Sequence, residues 1–183
     1  MPYKSILIFQ EIMNDYETRT GFICTVLQLN YDEIKKINLL NTNLKKINDD
    51  TQRIVYIFKI ILKNDTENEI EIIFDSINPF TQVSSFKAAE CITNRYPFSI
   101  RILDYIYIND TDNYHTSFHG HNFLNNSNSV YHIIELPKLQ PVTYASNLYE
   151  WCRLIKYSDK REIEIAAQEN HSLNVAYKLI SIL

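Results

Sequence analysis

The stretch Glu69-Ile-Glu-Ile-Ile-Phe-Asp75 alternates acidic and apolar residues. In a β-strand, Glu69, Glu71, Ile73 and Asp75 share one face, while Ile70, Ile72 and Phe74 take the other. Carboxylates gathered on one strand face can hold Mg²⁺, a hard ion bound through one or two carboxylates plus water and substrate phosphate. An ordinary solvated strand face has the same pattern, and Ile73 stands where the alternation calls for a polar side chain. A second grouping is His115-x-x-x-His119-x-His121. Three imidazoles can ligate Zn²⁺, but a structural site takes a fourth ligand and a catalytic one an organised water. Asp104, Asp110 and Asp112 follow no ligand spacing, so the segment reads as an exposed connection. Arg153, Lys156, Lys160 and Arg161 form a third grouping near a predicted helix end. Such a patch can contact phosphates. Cations at a helix C-terminus also interact favourably with its dipole, with no partner required.

These groups need elements to position them. The first 45 or so residues carry helical periodicity: Ile6, Phe9, Ile12 and Met13 fall on one face, and Phe22, Ile23, Val26 and Leu27 repeat the pattern after Gly21. A third short helix is expected from Asp32, with Ile34 and Ile37 inward. Asn41-Thr-Asn43 and Asn48-Asp-Asp50 read as turns. Arg53–Leu62 is β-branched and aromatic, as in a strand buried on both faces, and the polar turn at 63–68 folds Glu69–Asp75 back beside it. Tyr56 is thereby expected near Glu71. A helix is predicted from Pro79 to about Arg95, then strands at Ser99–Ile108 and Val130–Leu136, a helix capped by Ser146, and a last helix from Ser172. The fold class is α/β: a small mixed sheet flanked by helices, with helical N- and C-terminal segments.

With 183 residues the chain suits one domain: a helical lead-in (1–50), a sheet core (51–140) and C-terminal helices (141–183). Its 18 basic and 22 acidic residues leave a net charge of −4, which gives no global footprint for nucleic acid. No apolar run approaches the roughly 20 residues of a membrane helix, and the short patch Ile6–Phe9 is too brief for a signal-peptide core, so a cytoplasmic address is expected. Cys24, Cys91 and Cys152 lie far apart and form no Cys-x-x-Cys pair, so reduced thiols are expected. Only two glycines are present, and no nucleotide-binding glycine loop or His-Glu-x-x-His element occurs.

The segments Ser99-Ile-Arg-Ile-Leu-Asp-Tyr105, Tyr114-His-Thr-Ser-Phe118, His132-Ile-Ile-Glu-Leu-Pro-Lys138 and Leu148-Tyr-Glu-Trp151 carry a further signal, as does Ala176-Tyr-Lys-Leu179. Together they resemble the PD-(D/E)XK nuclease family transposases of bacteria, the Rpn-type recombination-promoting nucleases. Ile8-Phe-Gln-Glu-Ile12 and Cys24-Thr-Val-Leu27 look like the helices that precede the sheet in that family. The resemblance implies a restriction-endonuclease-like core, with an Asp on one hairpin strand and Glu-x-Lys or Glu-x-Gln on the next. In such a site the acids hold Mg²⁺, which polarises the phosphate and generates hydroxide, and the Lys or Gln positions the water. Aligned on the hairpin, Tyr56 stands at the Asp, Glu71 at the Glu and Ile73 at the Lys or Gln. A phenol is a poor Mg²⁺ ligand and isoleucine cannot orient water. The resemblance therefore implies a catalytically inactive relative, without a resident cofactor, that serves as a module binding DNA or another protein or persists as a mobile-element remnant. The alternative is an active Mg²⁺-dependent DNA endonuclease in which Glu69 or Asp75 joins Glu71 in a migrated site.

Overall fold

The structure is a computed structural model that describes residues 3–48, 51–76, 82–90, 96–122, 127–142, 145–156 and 160–181. Within these, the side chains at positions 3, 45–48, 51–52, 89–90, 121–122, 127, 160 and 162 are also left undescribed. The chain divides into two compact units, one of Met1–Ile34 with Leu139–Leu183 and one of Lys35–Lys138. Among the described residues no helix is long and apolar enough to cross a membrane.

The first unit is helical. It contains α1 (Tyr3–Asn14), α2 (Tyr16–Leu27), α4 (Asn147–Lys156), α5 (Lys160–Glu169) and α6 (His171–Ile180). Asp15 separates α1 from α2 because its carboxylate accepts the Thr18 N–H at 2.9 Å, satisfying a donor at the helix start. Asn170 caps α6 in the same way through Leu173, and Ser146 Oγ accepts from Tyr149 at the start of α4. The apolar stripes read from the sequence are buried: Phe9, Ile12 and Met13 on α1, Phe22, Ile23 and Val26 on α2, Trp151, Cys152 and Ile155 on α4. Phe22 meets Trp151 edge to face at 5.8 Å. Gly21 lets α2 approach α6 closely, since a Cβ there would lie 2.3 Å from Ser172 Cβ. Helix α5 was not expected from the sequence; among its described side chains Ile163 and Ala167 are buried, while Ile165 is exposed.

The second unit is a six-stranded mixed sheet in the order β1-β2-β3-β4-β6-β5, with β1 at Ile34–Asn48, β2 at Thr51–Leu62, β3 at Glu67–Asp75, β4 at Phe98–Leu103, β5 at His115–Asn122 and β6 at Ser127–Glu135. β3 runs antiparallel to β2 and parallel to β4, β4 parallel to β6, and β6 antiparallel to β5. The expected third helix is instead one turn of 3₁₀ helix, Tyr31–Glu33, leading into β1, so the helical lead-in gives way to strand at Ile34. Asn41-Thr-Asn43 lies within that strand rather than in a turn; pairing with β2 outweighs the local turn preference. The helix expected over 79–95 is described as α3, Ser85–Glu90, with positions 79–81 and 91–95 outside the described residues. The strand expected to reach Ile108 ends at Leu103, and the connection after it contains β5.

β2 is buried chiefly on one face: Ile54, Tyr56, Phe58 and Ile60 are covered while Val55, Ile57 and Ile61 are half-buried, which corrects the two-sided burial expected. Ile70, Ile72 and Phe74 of β3 and Ile100 and Ile102 of β4 extend that apolar face by register. The other face carries the acidic alternation. At one end it is closed by a cluster of Ala88, Leu103, Tyr105, Ile108 and Ile133.

Candidate functional site

The hairpin turn decides what faces Glu71. Leu62 N–H bonds to Thr66 O and Asp65 N–H to Leu62 O, with Asp65 in the left-handed region at φ 62°. This turn sets Lys59 against Glu69, Ile57 against Glu71, Val55 against Ile73 and Arg53 against Asp75. Tyr56 pairs with Ile72, so it points to the apolar face, where it is buried and stacks on Phe58 at 5.8 Å. Tyr56 and Glu71 are therefore neighbours in the hairpin but lie on opposite faces of the sheet. A register step of one residue carries a side chain from one face to the other.

On the β4 side, Glu71 is flanked by Ser99, Ile73 by Arg101 and Asp75 by Leu103. Tyr131 of β6 continues the row beyond Ser99 and Ile133 the row beyond Arg101. Glu71 is half-buried, Ile73 is buried and Ser99 is buried. Burial raises the Tyr131 phenol above its ordinary value and the Glu71 charge adds to this, while Arg101 opposes it. The face thus carries a half-buried acid, a hydroxyl, a half-buried guanidinium and a phenol in adjacent rows.

The two substitute acids differ in their surroundings. Asp75 is 1% exposed, and Arg53 donates to its Oδ2 from both Nε and Nη2. Tyr105 is raised well above the usual phenol range, first by burial and then by Asp75, with Arg101 and Arg53 opposing. Asp75 is thus paired with Arg53 beside the Tyr105 phenol. Glu69 is exposed; the lysine opposite it, Lys59, pairs instead with Glu67 at 2.8 Å. Among the described residues no three His, Cys, Asp or Glu side chains converge in a group able to hold a metal ion.

The basic grouping belongs to the helical unit. Arg153 lies 3.5 Å from Glu150 and over the Tyr149 ring, while Lys156 and Arg161 are exposed. The Lys160 side chain lies outside the described residues. Cys24 and Cys152 are buried free cysteines, and burial pushes the Cys24 thiol up to about 11; Cys91 lies outside the described residues.

Two constellations escaped sequence reasoning. Glu135 and Lys138, the ends of Glu-Leu-Pro-Lys, are both buried. Glu135 Oε1 accepts the backbone N–H groups of Tyr107 and Ile108 at 2.6 and 3.0 Å, and Lys138 Nζ donates to Glu135 Oε2, Ile108 O and Thr111 O. The motif that carries the family resemblance therefore ties down the loop after β4. Buried charges are tolerated when paired and fully hydrogen-bonded, which explains this residue choice. The second is His115 with His132, whose Nε2 and Nδ1 lie 2.9 Å apart with rings stacked at 5.1 Å. Burial, then the charges of His115 and His119, lowers His132 to about 4. The His115-x-x-x-His119 spacing lies on β5, an outer strand of the sheet, and the His121 side chain is outside the described residues. No family model, curated protein or solved structure matches this chain.

Proposed function

We propose that this chain is a catalytically inactive protein with a restriction-endonuclease-like core, akin to the Rpn-type transposases, which uses the sheet face around Glu71 to bind a phosphate-bearing partner, DNA being the first candidate. The observation that carries the reading is the set of residues around Glu71. Its strand neighbours are Ile57 and Ser99, the next residue on its own face is the buried Ile73, and the buried Asp75 is engaged by Arg53. Metal-assisted phosphodiester hydrolysis needs a cation held against the phosphate and a positioned water. Isoleucine at two of these positions supplies neither. Arg101 and Tyr131 on the same face suit a binding role, since a guanidinium recognises phosphate and a phenol can donate to it.

Incubation with plasmid DNA and Mg²⁺ or Mn²⁺ tests this. The expected outcome is no cleavage beyond that of a Glu71→Ala control, together with salt-sensitive binding of labelled DNA that weakens on Arg101→Ala. Cleavage that vanishes in Glu71→Ala overturns the inactive reading and favours a Mg²⁺-dependent endonuclease built from Glu71 with Glu69. DNA binding unaffected by Arg101→Ala overturns the assignment of the face.

A further inference from the structure

Among the described residues β1 ends the sheet, with β2 as its strand neighbour in the order, and it is 15 residues long. A long edge strand presents a row of backbone donors and acceptors to whatever strand approaches, and proteins ordinarily shorten, bulge or charge such an edge. Here Leu39, Leu40 and Leu44 are 45%, 48% and 45% exposed in the middle of the strand, with the lysine pairs Lys35-Lys36 and Lys45-Lys46 on either side. Along one face the order is Lys36, Asn38, Leu40, Thr42 and Leu44, so these two leucines are symmetric about Thr42.

We propose that β1 is a self-recognition edge, pairing antiparallel with β1 of a second copy of this chain about a two-fold axis through Thr42. A two-fold perpendicular to a continuous sheet keeps each side chain on its own face, so only registers that shift by two residues are allowed. In the register centred on Thr42, Leu40 lies opposite the partner's Leu44, Leu44 opposite the partner's Leu40, and Thr42 opposite its own equivalent. Asn41 lies opposite the partner's Asn43. The allowed registers on either side set Thr42 against the partner's Leu40 or against the partner's Leu44, and neither opposes leucine to leucine. Apolar pairs directly opposite stabilise a strand pair. The symmetric placement of the two leucines thus selects the register centred on Thr42.

Light scattering coupled to size exclusion, at tens of micromolar full chain, reads the oligomeric state. The expected result is a dimer that becomes monomeric in Leu40→Lys, with the circular dichroism of the monomer unchanged. Register is read by mild oxidation of Thr42→Cys. Opposed Cα atoms on antiparallel strands lie roughly 4.5–5.5 Å apart, within disulfide reach, so Thr42→Cys forms a linked dimer. Asn41→Cys and the parent chain do not, because residue 41 faces 43. A monomeric parent chain, a dimer indifferent to Leu40→Lys, or equal cross-linking of the two cysteine variants overturns the proposal.

Discussion

His132 has two chemical pressures on it, and both favour the neutral ring. It is buried against His115, and a proton on each imidazole would oppose both the stacking and the 2.9 Å hydrogen bond. Its native value of about 4 against an ordinary 6.5 means the unfolded chain takes up the proton first as pH falls. Stability from this group is complete above about pH 6.5 and is lost progressively down to about pH 4, a difference of roughly 3 kcal/mol. Denaturant melts of the parent and His132→Asn across that window should converge as pH falls, with the variant showing the shallower dependence. Arg53 has the opposite logic, since it offsets a carboxylate that is almost wholly buried. Removing one partner of such a pair leaves the other charge poorly compensated. Arg53→Ala is expected to cost about 2 kcal/mol, whereas Lys59→Ala, which breaks an exposed pair with Glu67, costs less than about 0.5 kcal/mol. Equal losses in urea melts would show that Asp75 does not depend on Arg53.

At the scale of elements, two short contacts organise long segments. The Glu135–Lys138 pair collects two amides and two carbonyls from the loop between β4 and β5, so that loop is held by hydrogen bonds rather than by its own secondary structure. Lys138→Met leaves the Glu135 carboxylate buried without its cation and is expected to cost about 3 kcal/mol. Hydrogen exchange should then speed up at the Tyr107 and Ile108 amides before it does in β2 or β3; uniform protection would count against the latch. The close approach of α2 and α6 rests on one missing methyl group. Gly21→Ala drives a Cβ into Ser172 and is expected to lower stability by about 2 kcal/mol despite the better helix propensity of alanine. Adding Ser172→Gly removes the obstructing atoms, so the double variant should recover part of that loss in thermal melts. Additive losses would place the strain elsewhere.

Across the whole molecule, the helical unit is assembled from both ends of the chain and the sheet unit from its middle. Two 12-residue helices are too short to persist alone in water; α1 and α2 depend on α4 and α6. A chain truncated after Lys138 is expected to lose the α1 and α2 helix signal along with that of the deleted segment, and circular dichroism showing native-like helix in the remainder would contradict this. The sequence by itself determined the periodicities: the helical stripes of α1, α2, α4 and α6, the strand character of β2 and β3, the cap at Ser146 and the start of the last helix near Ser172. These follow from neighbouring residues, whose spacing alone states which side chains share a face. β1 was missed because its Asn-rich centre has a turn-like composition, and the second sheet edge because His, Ser and Asn favour loops. Tyr56 was placed beside Glu71, but the hairpin turn shifted the register by one residue and sent it through to the other face. The arginine that pairs with Asp75, the amides that Glu135 accepts and the imidazole against His132 are 22, 27–28 and 17 residues away. Only the tertiary structure could choose them, because burial makes an unpaired charge or amide costly and the fold alone decides which distant groups are close enough to answer it.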